Sequence, residues 1–211
     1  MAFIFDLDGT LIDSMQVWKT IGSTYLKNRG ITPEDDVDKR IVTYSQEEVA
    51  EHFIETYNIQ DDKEFLMEDI FNFVKELLRN NAPPKDGILE FLEANRDKKM
   101  CIATASDRIL TEMSLKTHGM EHYFSEIFTC IEVGAGKDKA DIYEIALEHL
   151  GTKKEETYVF EDALHAMKTA KNANFRVIGI YDLSAEKDTE EIKQLTDIYI
   201  ENYSELLTII K

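Results

Sequence analysis

The sequence lacks any apolar run approaching the ~20 residues that a membrane-spanning helix needs. Its beginning lacks the basic segment of a signal peptide, and Asp6 and Asp8 interrupt the apolar start. Cysteine is scarce, since Cys101 and Cys130 are the only two and each lies within an apolar stretch. That setting favours small buried side chains over a disulfide or a metal site. We therefore expect a cytoplasmic protein without a membrane anchor.

The chain is also poor in positive charge. It has 24 lysines and arginines against 42 aspartates and glutamates, which gives a formal net charge of −18. This balance argues against nucleic acids and anionic membranes as partners, because both bind clusters of basic residues. A site for an anionic substrate would have to create positive potential locally, with a metal ion, a lysine or helix N-termini. Nothing in the sequence indicates the oligomeric state.

Short apolar runs alternate with segments of helical period, and hydrophobic residues make up 43% of the chain, enough for a real core. The runs predict strands at 2–5, 100–103, 127–130, 157–160, 176–180 and 197–200. The periodic segments predict helices at 87–96, 108–118, 139–150 and 163–173. Such alternation predicts an α/β fold, with a Rossmann-like parallel sheet and helices on both faces. No G-x-G-x-x-G motif follows the first run, which argues against dinucleotide binding.

Residues 14–80 interrupt this alternation and contain no convincing strand. Their period predicts three helices. The first lies at 14–29, the second begins at Ser45, which has the capping-box spacing to Glu48, and the third lies at 62–79. The segment "NNAPPKDG" at 80–87 is typical of a linker. We therefore predict an all-helical domain at 14–83, inserted into an α/β core domain of 1–13 and 84–211.

Polar side chains follow four of the predicted strands. They are Asp6 and Asp8 after the first, Thr104 and Ser106 on either side of Ala105 after the second, Lys137 after a glycine-rich turn beyond the third, and Glu161 and Asp162 after the fourth. The carboxyl ends of parallel strands lie along one edge of a sheet, so we expect these groups to meet there. Four carboxylates beside one lysine are tolerable only around a hard cation, and oxygen ligands indicate Mg²⁺. A hydroxyl, a lysine and amide donors beside Mg²⁺ are typical of a phosphoryl site, where a carboxylate can also be the nucleophile.

Three segments resemble motifs of the haloacid dehalogenase-like (HAD) superfamily. "FDLDGTLIDS" from Phe5 is similar to its DxDGT(L/V) motif, and "GKDKADIYEIALEHLG" from Gly136 is similar to GKPxPDIYxxAxxxLG. "VFEDALHAMKTAKNANFRVIGI" from Val159 is similar to VFEDSxxGxxAAxxAGMxVIGV. The resemblance covers nearly the whole chain. It implies the HAD fold with a C1-type helical cap as the insert, in the phosphatase or β-phosphoglucomutase-like subfamily.

The resemblance also implies roles for the acidic residues. Asp6 would be the nucleophile that attacks phosphorus and a ligand of Mg²⁺. Asp8 would be the general acid that protonates the leaving oxygen and then the base that activates water, and its backbone carbonyl would bind the metal. Asp162 would bind Mg²⁺ directly, and Glu161 directly or through water.

The same resemblance implies how the phosphoryl group is held. Thr104, the backbone amide of Ala105 and Lys137 would bind its oxygens, with Lys137 offsetting charge in the transition state. Gly9 would let the first loop turn its amides toward the phosphate. Ser106 and Asp107 are expected to cap the next helix rather than take part in the chemistry.

Two reactions fit these motifs, hydrolysis by a phosphatase and phosphoryl transfer by a mutase of the β-phosphoglucomutase type. A third possibility is a non-catalytic sensor that binds phosphorylated metabolites. Resemblance to the mutase would further require a histidine where Trp18 stands and an arginine near Ser45 and Gln46, where the loop reads "VTYSQEEV". A mutase needs a cationic grip on a second phosphate. We therefore favour hydrolysis of a small phosphomonoester, such as a sugar phosphate, with the mutase as the alternative. Trp18 and Gln46 are candidates for substrate binding, although Trp18 could equally belong to the core of the insert.

Overall fold

The computed structural model describes residues 1–210. Its strands are β1 (Ala2–Phe5), β2 (Lys99–Thr104), β3 (Ile127–Thr129), β4 (Thr157–Glu161), β5 (Arg176–Ile180) and β6 (Ile198–Ile200). They form one six-stranded sheet in the order β3-β2-β1-β4-β5-β6, and every neighbouring pair is parallel. The predicted α/β class with a Rossmann-like parallel sheet is therefore confirmed.

Strand β1 pairs with both β2 and β4, and all four of its residues are fully buried. Phe3 and Phe5 place their rings against Phe91 and Phe160, with the rings of Phe5 and Phe160 stacked 4.2 Å apart. Ile4 alternates with them and belongs to a second apolar cluster. A strand covered on both faces has no polar positions. This explains why the sequence "AFIF" contains no alternation.

The chain divides into two compact units, one made of Met1–Met15 with the chain from Pro83 onward, the other of Gln16–Ala82. The helices between Met15 and Asn81 are α1 (Met15–Trp18), α2 (Ile21–Asn28), α3 (Val37–Ile41), α4 (Gln46–Tyr57) and α5 (Lys63–Asn81). The second unit has its own apolar cluster, in which Tyr25 and Phe53 stack 5.9 Å apart. Ser45 forms the capping box at the start of α4 that its spacing predicts.

The first unit contains the remaining helices, which are α6 (Ile88–Ala94), α7 (Arg108–Thr117), α8 (Cys130–Val133), α9 (Asp141–Leu150), α10 (Leu164–Asn172), α11 (Thr189–Leu195) and α12 (Leu206–Ile209). Short 3₁₀ turns lie at Glu121–Tyr123, Lys154–Glu156, Leu183–Asp188 and Tyr203–Glu205. None of the helices within residues 1–210 is both long and apolar enough to cross a membrane.

Two predicted elements are wrong in detail. The single helix at 14–29 is divided into α1 and α2, where the Thr20 hydroxyl donates to the carbonyl of Gln16, a local bond that competes with regular helix. The third strand ends before Cys130, because the side chain of Thr129 accepts the N–H of Glu132 and caps α8. Helix α3 lies in a segment for which no helix was predicted.

A buried ion pair ties the segment after the insert to the end of β5. Lys85 Nζ donates to Asp182 Oδ2 at 2.8 Å and to the carbonyl of Tyr181 at 3.1 Å. The Asp182 side chain is 2% exposed. Burial alone would raise the pKa of Asp182, but hydrogen bonds from Lys85 and Ser184 lower it below its ordinary value.

Asp182→Asn is expected to lower the free energy of unfolding by about 2 kcal/mol at pH 7, since it weakens a charged hydrogen bond to Lys85. A lowered folded-state pKa contributes stability that is complete above the unfolded pKa of about 3.9 and is lost as the pH falls. The difference between wild type and variant should therefore shrink below about pH 4. Urea unfolding at pH 7 and pH 3.5 measures it. Asp86→Asn, which changes an exposed carboxylate of the same segment, is the control. A loss that persists unchanged at pH 3.5 would refute the electrostatic origin.

Candidate active site

The site lies at the carboxyl ends of β1 and β4, which are level because their registers match residue for residue from Ala2 opposite Thr157. The N–H of Asp6 donates to the carbonyl of Phe160 at 3.0 Å, so pairing continues one residue beyond β1. This bond fixes Asp6 beside the last residue of β4, Glu161. The strand ends thus bring together three of the four predicted carboxyl groups, those of Asp6, Glu161 and Asp162.

Three carboxyl groups lie close together at the ends of β1 and β4. Asp6, Glu161 and Asp162 are the group within residues 1–210 whose potential ligand atoms all lie within 4.8 Å of one another, and each is at least nine-tenths buried. Lys137 Nζ donates to Asp6 Oδ1 and, at 2.6 Å, to Glu161 Oε1. One ammonium group therefore faces three buried carboxyls. Buried charge of this kind is costly unless it is compensated.

The pKa values reflect this excess of negative charge. Burial raises the pKa of Asp6 from 3.8 to about 7, and the charges of Glu161 and Asp8 add to the rise against the opposing effect of Lys137. Burial, together with Asp6 and Glu161, also raises the pKa of Asp162 well above its ordinary range. Burial alone would lower the pKa of Lys137, but the charges of Asp6 and Glu161 raise it above normal, so the lysine stays charged.

A metal ion fits this group. Its donors are all carboxylate oxygens, the ligands of hard cations, and a cation would supply the positive charge that one lysine cannot. The main chain at Gly9 passes close to the carboxylate of Asp162. Gly9 has φ 79°, and a Cβ there would lie 2.4 Å from Asp162 Oδ2. Any other residue at position 9 would collide with this carboxylate. The acidic group can therefore hold a metal ion.

The carboxylate of Asp8 lies outside the acidic group and is held by two serines. Ser14 Oγ donates to Asp8 Oδ1 at 2.6 Å, and Ser106 Oγ donates to Asp8 Oδ2. The expectation that Ser106 caps α7 is wrong, because Asp107 alone accepts from that helix, at the N–H of Ile109. The predicted contact of Asp8 with the metal ion is through its backbone carbonyl and does not involve the carboxylate that the serines hold.

The remaining predicted residues lie in both units. Thr104 ends β2, and its buried hydroxyl oxygen accepts the N–H of Ser106 at 3.0 Å. Ala105, between them, is exposed. Trp18 and Gln46 belong to the second unit, where Trp18 is half-buried at the end of α1 and Gln46 is exposed at the start of α4.

Three hydroxyl groups that were not predicted from the sequence form hydrogen bonds to the acidic residues or to their neighbours. Tyr143 OH donates to Glu161 Oε1 at 2.8 Å, and Thr10 Oγ1 donates to Asp162 Oδ1 at 3.4 Å. Tyr203 OH in turn donates to the carbonyl of Thr10 at 3.1 Å. Burial raises the pKa of Tyr143 well above its ordinary value, so its phenol remains a donor. The available signal for Thr10 and Tyr143 was their place inside the quoted motifs, whereas Tyr203 lies outside all three.

Comparison with known proteins identifies the family of the chain and proteins of similar sequence and fold. The family model for haloacid dehalogenase-like hydrolases matches residues 3–180. The phosphorylated carbohydrates phosphatase of Thermotoga maritima is 26% identical over 215 residues, which cover 100% of this chain and 98% of the relative. The β-phosphoglucomutase of Mycobacterium bovis is 24% identical over 238 residues, covering 98% and 91%. A crystal structure from Thermotoga maritima, provisionally assigned as a β-phosphoglucomutase, has a TM-score of 0.82 at 24% identity, covering 100% and 99%, and shows the same fold.

Proposed function

The chain belongs to the haloacid dehalogenase-like hydrolase family, and from that premise we propose that it is a Mg²⁺-dependent phosphatase of small phosphomonoesters. The observation that carries the proposal is the buried group of Asp6, Glu161 and Asp162 around Lys137, with the carboxylate of Asp8 beside it. Similarity to a phosphorylated carbohydrates phosphatase supports sugar phosphates as the substrate class. The first unit is then the catalytic core domain. The second is a C1-type cap domain, to which we assign the substrate-selective residues Trp18 and Gln46.

In the first step, a carboxylate oxygen of Asp6 attacks phosphorus, an aspartyl-phosphate forms and the ester P–O bond breaks. Asp8 gives its proton to the leaving oxygen, which departs as an alcohol. In the second step Asp8 takes a proton from water, whose oxygen attacks the same phosphorus. The bond to Asp6 breaks, and inorganic phosphate leaves with the Asp6 carboxylate restored.

Other groups of the chain bind rather than react. The Thr104 hydroxyl, the Ala105 amide and the Lys137 ammonium would hold the phosphoryl oxygens where negative charge develops. Mg²⁺ held by Asp6, Glu161, Asp162 and the carbonyl of Asp8 would offset the charge of the carboxylates and the phosphoryl group. The two serines on Asp8 suit its double role, since a hydroxyl can donate to the carboxylate or turn to accept from the acid.

Hydrolysis rather than mutase chemistry is favoured because the loop at 42–46 contains no lysine or arginine that could bind a second phosphate. The arginine closest in sequence to the loop at 42–46 is Arg40, which forms ion pairs with Glu34 at 2.8 Å and Asp36 at 3.0 Å. The loop itself carries Val42, 78% exposed, and the exposed Tyr44. A mutase must grip a second phosphate. The sequence of this loop supplies no cation for that purpose, and Arg40 already has two carboxylate partners.

Phosphate release from a panel of phosphomonoesters tests the proposal. The panel contains sugar phosphates, phosphoglycolate and nucleotides, with Mg²⁺ present and then removed by a chelator. We expect release that requires Mg²⁺, with the highest kcat/KM for a sugar phosphate. Isomerisation of β-glucose 1-phosphate with a bisphosphate primer and without net release would establish the mutase instead. Absence of turnover despite metal binding would support the sensor.

A further inference from the structure

Tyr143 contacts the acidic group of Asp6, Glu161 and Asp162 through its hydrogen bond to Glu161. No step of the proposed reaction uses it. It is the third residue of α9 and has no exposed surface. Its ring lies 6.1 Å from that of Phe175, in the same apolar cluster as Ile4 and Val159. A buried phenol normally finds a hydrogen-bond partner. Here that partner is a carboxylate of the site, Glu161.

One oxygen of Glu161 receives two donors. Lys137 Nζ lies 2.6 Å and Tyr143 OH 2.8 Å from Oε1. Neither of these bonds is made to Oε2. Both donors therefore hold the carboxylate by the same oxygen, which fixes the direction in which the other oxygen faces.

The two donors differ in how free they are to move. Lys137 is on the segment after α8, it also bonds Asp6, and the proposed reaction draws it toward the phosphoryl group. Tyr143 is on a helix packed against β1 and β2, and its ring is enclosed. When Lys137 turns to the phosphoryl oxygens, the phenol is the donor that still restrains Glu161.

We propose that Tyr143 is a positioning residue, which holds Glu161 by Oε1 so that Oε2 is directed to the metal ion. This inference rests on the proposed metal site. Partners of metal ligands commonly change metal affinity or activity by about 10- to 100-fold when they are removed. Phenylalanine keeps the ring and removes only the donor, so Tyr143→Phe isolates the hydrogen bond.

The experiment measures Mn²⁺ binding to the full chain by electron paramagnetic resonance, with Mn²⁺ as the spectroscopic substitute for Mg²⁺. Tyr143→Phe should weaken binding about 10-fold, and the loss should grow when inorganic phosphate is added, because Lys137 is then drawn away. Tyr158→Phe is the matched control. It removes the hydroxyl of another buried tyrosine of the same unit, whose ring lies 4.3 Å from the Arg176 guanidinium. This control should bind Mn²⁺ like wild type.

Two further measurements separate positioning from a defect in folding. Tyr143→Phe should raise the Mg²⁺ concentration for half-maximal turnover more than it lowers kcat at saturating Mg²⁺, whereas partial unfolding would lower kcat alone. In a Glu161→Gln background the same change should have little further effect on Mn²⁺ binding. Wild-type affinity in Tyr143→Phe, or an equal loss in Tyr158→Phe, would overturn the inference while leaving the phosphatase intact. A wild-type protein that binds no Mn²⁺ would overturn both.

Discussion

Replacing Asp6 with asparagine is expected to lower kcat for phosphomonoesters by about 10⁴-fold or more, because no carboxylate remains to attack phosphorus. Asparagine has nearly the same shape, so Lys137 can keep a hydrogen bond to the side-chain oxygen at position 6. The fold should therefore persist. Phosphate release at saturating Mg²⁺, together with circular dichroism, measures both properties.

The pH dependence of stability gives Asp6→Asn a second, independent signature. In the metal-free protein the folded-state pKa of Asp6 is raised to about 7 by burial, so ionisation of this group disfavours the folded state. Stability should fall as the pH rises from about 4 to about 7, between the unfolded and folded pKa values. Asp6→Asn removes this group and should show a smaller decline in urea unfolding.

The control for Asp6→Asn is Asp13→Asn, which changes an exposed aspartate of the same segment. It should retain turnover within about twofold, as surface changes usually do. If Asp6→Asn retained measurable Mg²⁺-dependent turnover above 1% of wild type, Asp6 would not be the nucleophile. An attack by water on the bound ester would then replace the covalent mechanism.

The strand ends explain why much of the site could be predicted. The central strand "AFIF" is apolar throughout, and its partners β2 and β4 contain the apolar runs "MCIA" and "YVF". Once the sheet is parallel, the residues that follow each strand must meet at one edge. Asp6, Glu161, Asp162 and Lys137 are close for that reason, although up to 156 positions separate them.

Hydroxyl partners could not be predicted in this way. Ser106 contacts Asp8 across 98 positions, and Tyr143 contacts Glu161 across 18. In each case the pair depends on which way a side chain turns at the end of a helix or loop, which no period in the sequence encodes. Serine before a helix is an ordinary cap, so the expectation for Ser106 followed local chemistry and a tertiary contact overrode it. The division of 14–29 into two helices has a local origin instead, in the bond from the Thr20 hydroxyl to the carbonyl of Gln16.

Lys137→Met is the second change with a large expected effect, and it acts on stability as well as turnover. The lysine is 6% exposed at its side chain and donates to both Asp6 and Glu161, so its removal leaves buried carboxylates without their cation. Breaking such a pair costs roughly 3–5 kcal/mol. In the metal-free protein at pH 7.5 we expect a loss of about 3 kcal/mol in urea unfolding, and a kcat lower by about 10³-fold.

Metal binding and pH should both reduce the instability of Lys137→Met, because each neutralises the same carboxylates. Saturating Mg²⁺ is expected to stabilise Lys137→Met more than wild type, and acidification to pH 5.5 should narrow the difference, since the carboxyls then take up protons. Lys139→Met, two residues along on an exposed position, is the matched control and should behave like wild type. An equal stabilisation of Lys137→Met and wild type by Mg²⁺ would contradict a shared site for the lysine and the metal ion. The lysine would then be a structural partner of Asp6 and Glu161 alone, and the decrease in kcat would have to come from displaced carboxylates.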